Sequence, residues 1–175
     1  MAIKKNYDGV EGVLSDGNST VMLVPSGEID ALSDITAALL NGASAVDITY
    51  DLTTDGYTHT PSNEEIVTNR FTRPYETKRE GKQTDTLSLQ YNYDPEATES
   101  QADSVIVTGS KYHIIERRGV AHDEDFKAGD KVRIFPARAG RKTDDPPAAG
   151  AEFSRTVPML LAGQVIDEYV LPAGA

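Results

Sequence analysis

His122-Asp123-Glu124-Asp125 puts an imidazole beside three carboxylates, and a metal ion is the chemistry such a row first suggests. Adjacent residues point in different directions, however, and rarely close one coordination sphere. With no partner cluster elsewhere, an exposed acidic turn is the favoured reading. Asp47 and Asp51 are the second candidate pair. On an extended chain they share one face with Thr49 and Thr53. Paired carboxylates can bind a metal or work as acid and base, but no histidine or further acid joins them at a diagnostic spacing. A solvated sheet face is the commoner outcome. The three histidines, His59, His113 and His122, are scattered, and His113 sits in a strand pattern where a structural role is the default. The chain has no GxSxG elbow, Walker loop, HExxH or glycine-rich dinucleotide turn. Its lysines and arginines do not interleave with aromatics as a single-strand platform requires. The expectation is a protein with no catalytic residues, no cofactor and no metal. A metal-dependent hydrolase built on the acidic turns is a distant alternative.

Composition narrows the classes further. At 175 residues the chain is expected to form one domain, 1–175. It lacks cysteine, which excludes disulfides and thiolate metal sites. A formal charge of −11 argues against gripping nucleic acid or anionic lipid. The absence of tryptophan disfavours a carbohydrate-stacking groove. The opening MAIKKNYDGVEG carries no apolar core of a signal peptide. The longest apolar run, Val157 to Gly163, is too short to span a membrane.

The elements that position these residues read mostly as strands. Asp85 to Pro95, DTLSLQYNYDP, is the clearest. Leu87, Leu89, Tyr91 and Tyr93 alternate with Thr86, Ser88, Gln90 and Asn92, the pattern of a half-buried strand, and Asp94-Pro95 ends it. Val46 to Thr53 repeats the pattern, with Val46, Ile48, Tyr50 and Leu52 on the apolar side. Val10 to Leu14 and Thr20 to Val24 flank Ser15-Asp16-Gly17-Asn18 and read as a hairpin. Glu28 to Asn41 reads as a helix, with Leu32, Ile35, Leu39 and Leu40 on one face. Thr54 to Asn63 reads as a turn-rich loop. Glu64 to Arg79 reads as an irregular strand interrupted at Pro74, before a turn at Glu80-Gly81-Lys82. Pro95 to Ser104 has room for a helical turn. Lys111 to Arg118 and Lys131 to Ala137 are strands around the loop Gly119 to Asp130. Arg138 to Ala151 is a second long loop. Glu152 to Leu161 and Gln164 to Leu171 form a closing pair of strands.

The segment ERRGVAHDEDFKAGDKV, within Tyr112 to Pro136, resembles the major tail (tail tube) proteins of long-tailed bacteriophages, especially those infecting actinobacteria. The order of the flanking elements is similar from about Pro25 to Val170. The resemblance implies a mainly β, sandwich- or barrel-like tail tube fold with one flanking helix. It implies sheets that join neighbours into hexameric rings, and rings that stack into a hollow virion tube assembled in the host cytoplasm. DNA would pass through without specific binding, and the partners would be further copies plus tape-measure, tail-tip and terminator proteins. Six copies at −11 each make −66 per ring, a wall that repels phosphates. On this reading Asp47, Thr49, Asp51, Thr53, Thr86, Ser88, Gln90 and Asn92 face the lumen. The arm 1–9 and the loops 54–63 and 138–151 bridge subunits or rings, through Gly56, Tyr57, His59, Arg138, Arg141, Lys142, Asp144 and Asp145. The alternative from another class is a monomeric β-sandwich that binds carbohydrate or protein. The ring protein of contractile injection systems would be a close structural relative of the tube.

Overall fold

Val21 to Val24 is an unbroken apolar run, which suits a strand covered on both faces. In the computed structural model, which describes residues 12–69, 71, 75–96 and 101–173, this run lies in β1 (Ser19–Pro25). Val21 and Leu23 enter one core while Met22 and Val24 enter another. β5 (Lys111–Arg118) pairs with β1, and β6 (Lys131–Ala139) pairs with β5, all antiparallel. β6 then divides its edge. Its C-terminal end, Ala137 to Ala139, pairs with β8 (Ser154–Leu161), and its N-terminal part pairs with β9 (Ile166–Val170). β8 leads on to β4 (Thr77–Asn92) and β4 to β3 (Leu52–Thr68). The two-residue strands β2 (Val46–Asp47) and β7 (Thr143–Asp144) border β1 and β8. The result is one antiparallel sheet in the order β2-β1-β5-β6-β8-β4-β3.

That sheet curls over on itself. Tyr57 and His59 of β3 set their rings edge-on to Phe135 of β6, at 6.2 and 4.9 Å between centroids. The enclosed core holds Leu23, Ile114, Phe135, Val157, Leu89 and Tyr91, so β1, β4, β5, β6 and β8 all contribute to it. The second core lies behind β1, β5 and β6, under Ile29, Ile35, Leu40, Phe126 and Leu171. The mainly β, sandwich- or barrel-like expectation holds. The alternation in DTLSLQYNYDP holds too: Leu87, Leu89 and Tyr91 are buried, and their intervening neighbours are not.

Several local expectations fail for identifiable reasons. Residues 28–41 do not form one helix. Two single turns, Ser26–Glu28 and Leu32–Asp34, precede a four-residue α1 (Ala37–Leu40). The Asp34 carboxylate accepts the Asp30 and Ala31 amides, and Thr36 Oγ1 accepts the Leu39 amide. Such side-chain bonds offer the backbone an alternative to a continuous helix. Leu32, expected inside, is exposed. The turn at Asp16-Gly17 forms, with Gly17 at positive φ, but Val13 and Leu14 are exposed and not in a strand. β1 pairs with β2 and β5 instead, and Val10 lies outside the described residues, as does the arm 1–9.

Val46 to Thr53 is not one strand: a turn closes at Ile48 to Asp51, leaving Tyr50 exposed. β8 and β9 do not pair with each other, since each has its own stretch of β6. Residues 54–63 are strand rather than loop. Residues 64–68 and 77–79 continue the same hairpin, with Pro74 outside the described residues, and 80–82 are strand. The loop expected at 138–151 begins as the end of β6 and contains β7. The helical turn expected in 95–104 appears as α2 (Gln101–Val105), with 97–100 not described.

The loop 119–130 is held by one side chain. Arg117 is completely buried. Its guanidinium donates to the carbonyls of Ala121, Glu124 and Asp125, to Asp130 Oδ2 at 3.1 Å and to Thr20 Oγ1. It also lies 4.2 Å from the centre of the Phe126 ring. Gly119 and Gly129, both at positive φ, turn the chain into and out of the loop. A lysine has one compact ammonium and cannot reach this fan of acceptors. Arg117→Lys is expected to lower stability by about 2–4 kcal/mol, because buried acceptors lose their donors. Urea unfolding checks it, and an unchanged midpoint would remove the clamp from this account.

Candidate assembly surfaces

β4 has two unlike halves. Leu87 to Asn92 pair with β3 on one side and β8 on the other. Residues 77–86 pair only with β3 among the described residues. This leaves a two-stranded arm about 30 Å long at roughly 3.3 Å per residue. Residues 60–67 and 82–84 are exposed throughout, and Ile66, Val67, Phe71 and Tyr75 are exposed apolar side chains at its far part. A two-stranded ribbon without a covering layer is marginal in water. β3 is also the sheet edge, carrying Pro61, Glu64 and Glu65, residues that discourage indiscriminate strand pairing. The arm is rooted by a β-bulge. Between Leu52 and Tyr57 the register shifts, and Gly56 packs so closely that a Cβ would stand 2.1 Å from the Gln90 carbonyl oxygen.

The eight residues expected to face the lumen fall into separate groups. Thr53 donates to Gln90 Oε1 at 2.9 Å, and Gln90 donates to Asp145 Oδ2 at 2.9 Å. Ser154 and Thr156 also donate to Asp145, so Thr53, Gln90 and Asp145 form one polar network over β3, β4 and β8. Ser88 and Asn92 alternate with the buried residues on the same side of β4, and Asn92 donates to Glu152. Thr86 lies further out and donates to the Thr60 carbonyl. Asp47, Thr49 and Asp51 are elsewhere and act locally. Asp47 accepts the Thr49 amide, Thr49 Oγ1 accepts the Val21 amide, and Asp51 accepts the Ala102 amide.

The residues expected to bridge subunits mostly bond inside their own chain. Tyr57 reaches Glu116, and the His59 side chain is 8% exposed against Phe135 and Arg133. Arg138 donates to the Gly109 carbonyl. Lys142 donates to Asp103, and Asp144 accepts from Arg155. Arg141 is exposed. Among the described residues no group of His, Cys, Asp and Glu could hold a metal ion, His122–Asp125 included. His122 instead packs its ring edge-on to Tyr50.

A model of the family described as "Phage tail tube protein" matches residues 8–174. The chain belongs to that family. A search of curated proteins gives no match. Among solved structures, a chain of the anti-feeding prophage baseplate, determined by cryo-EM with six-fold symmetrisation, superposes with a TM-score of 0.55 at 9% identity. The match covers 94% of this chain and 98% of that one, and at this identity it shows the shared fold. This tail tube protein is therefore a structural component of the phage tail. Among the described residues no helix is long and apolar enough to cross a membrane.

The structure also assembles a node in the tail tube protein that the sequence reading missed. Asp103 of α2 receives Tyr91 Oη at 2.8 Å, Lys142 Nζ at 2.9 Å and Arg155 Nη1 at 3.0 Å. Only the pattern of one acid among distant basic residues existed in sequence, and that pattern has no signature. Burial of Asp103 works to raise its pKa, but these hydrogen bonds from Lys142, Tyr91 and Arg155 outweigh it and hold the carboxyl below its ordinary value. Asp145 is held low as well, through Gln90 first and then Ser154 and Thr156 against a burial penalty. A carboxylate lowered in the folded state contributes stability above its unfolded pKa, near 4, and loses it as pH falls through the folded value. Stability measured by urea unfolding is expected to begin falling below about pH 6.5, because burial holds the His113 pKa below its ordinary value, and to fall more steeply below about pH 4. In Asp103→Asn part of that acid-side slope disappears, together with stability at pH 7. An unchanged slope would mean Asp103 is not one of the linked groups.

Proposed function

We propose that six copies of this protein close into a ring, and that the rings stack into a tube through which DNA is ejected into the host. The arm carries this reading: ten residues of paired ribbon with exposed apolar side chains and, among the described residues, no covering layer. A second copy is the natural cover, since such ribbons are marginal alone. The six-fold symmetry stated for the anti-feeding prophage baseplate supports the count. Tape-measure, tail-tip and terminator proteins meet the tube at its ends and interior, and assembly takes place in the host cytoplasm. The resemblance carries the actinobacterial host.

The wall of the bore is assigned to the polar side of β3, β4 and β8, with Thr53, Ser88, Gln90, Asn92 and Asp145. Its side chains are small, neutral or acidic, so phosphates meet no cationic grip. Thr86 continues this face along β4. Asp47, Thr49 and Asp51 join the wall only if the Ile48 to Asp51 turn lies at a rim of the bore.

Negative-stain microscopy of the purified protein over a concentration series is expected to show rings or hollow tubes. Replacing residues 61–84 by a short turn is expected to leave a cooperatively folded subunit, by circular dichroism, that forms neither. Tubes of normal length from the shortened chain would refute the role of the arm. For the bore, Ser88→Lys with Gln90→Lys is expected to preserve tube formation and slow DNA ejection from virions. Unchanged ejection kinetics would place this face elsewhere.

A further inference from the structure

Asn41-Gly42 is the chain's one Asn-Gly step, and both residues are exposed. Asparagine is a thermolabile side chain. Before glycine it is most so, since no Cβ hinders attack and the backbone turns freely. The Gly42 backbone nitrogen attacks Asn41 Cγ, and the Cγ–Nδ2 bond breaks. Nδ2 leaves as ammonia with the proton from the Gly42 amide. Water then opens the cyclic imide at either carbonyl, leaving aspartate or isoaspartate. The fold holds the reacting groups apart. Asn41 closes α1 at φ −86° and ψ −1°, and the Gly42 amide donates to the Leu39 carbonyl at 3.1 Å. To attack, that nitrogen must turn toward the side chain and give up its bond. The side chain is pinned as well. Its Oδ1 accepts the Phe126 amide and its Nδ2 donates to the Phe126 carbonyl, both at 2.9 Å. Phe126 belongs to the loop 119–130 and lies against the Arg117 guanidinium.

We infer that Asn41 is a modification site gated by this loop: it deamidates when the loop lets go of it, and the product keeps the loop from closing as before. The second half follows from hydrogen-bond chemistry. A carboxylate accepts but cannot donate. An acid at position 41 therefore leaves the Phe126 carbonyl without its donor and sets oxygen against oxygen. The new charge also enters a cleft already lined by Asp47, Asp123, Glu124 and Asp125, where like charges repel. With the ammonia lost, the change runs one way. The chemistry acts inside one subunit and needs no assembly.

Peptide mass spectrometry tests it, following each asparagine in warm, mildly alkaline buffer, in the folded protein and in urea. In urea Asn41 is expected to react before the other asparagines, and Gly42→Ala is expected to slow it. In the folded protein the reaction is expected to be slower by about tenfold or more, because only the opened fraction is competent. Phe126→Leu and Arg117→Lys, each taken where circular dichroism shows a folded chain, are expected to speed the folded-state reaction. Asn41→Asp is expected to unfold at a lower urea concentration than the original protein. Equal rates in folded and unfolded chains would overturn the gate, and so would a folded-state rate that both loop variants leave unchanged. Another asparagine reacting first in urea would overturn the site. An unchanged urea midpoint for Asn41→Asp would overturn the effect on the loop.

Discussion

The buried guanidinium of Arg117 is the constraint on which the outer half of this fold depends. It ties β5 to Thr20 of β1 and to the loop 119–130 in one set of hydrogen bonds. Through that loop it reaches much further. Phe126, stacked on the guanidinium, caps the second core. The backbone of Phe126 exchanges two 2.9 Å hydrogen bonds with the Asn41 side chain, which fixes the end of the segment covering that core. Asp130, bonded to Arg117, exchanges backbone contacts with Leu171 through the Gly129–Asp130 turn, which sets the chain's last described residues. One charged group thus registers β1, the covering segment and the C-terminal stretch against each other. A buried charge of this kind is costly when unpaired, so the loop has strong reason to keep one conformation.

This accounts for what was legible in the sequence. ERRGVAHDEDFKAGDKV supplied the resemblance to tail tube proteins, and its parts are the parts of the clamp: Arg117, the turn glycines Gly119 and Gly129, the stacking Phe126 and the accepting Asp130. Strands packed on one face announced themselves by alternation, as in Leu87, Leu89 and Tyr91, because burial there follows the pleat. The arm did not. Thr54 to Asn63 carries glycine, proline and asparagine, the residues of turns, yet it is strand, since an edge needs only one partner and β4 provides it. Tyr57 and His59 alternate with exposed Thr58 and Thr60, but every residue from 60 to 67 is exposed, so the rhythm is too short to read. The segment 28–41 misled in the opposite way. Its helical spacing is real, but Asp34 and Thr36 satisfy the backbone locally and divide it into three short turns.

The charge balance shows a similar division of labour. Many of the basic side chains are engaged inside the subunit: Arg117 with Asp130, Arg133 with Glu116 and Asp167, Lys142 and Arg155 with Asp103. The pairs on Asp103 hold together elements that share no hydrogen-bonded edge, α2 with the stretch after β6 and with β8. The negative excess is left mostly on the surface. Copies of such a chain repel one another at long range, and salt weakens that repulsion over about 8–10 Å.

An arm of this kind also makes the two edges of the sheet unlike. A sheet with two similar exposed edges would tend to pair edge to edge, symmetrically and without limit on register. Here one edge is extended into a twisted ribbon bearing proline, a bulge and charge, while the other ends in the two-residue β2. The two ends of the subunit are chemically unlike, so a like-with-like contact gains little. Unlike ends favour a repeated contact of one direction over a symmetric pair.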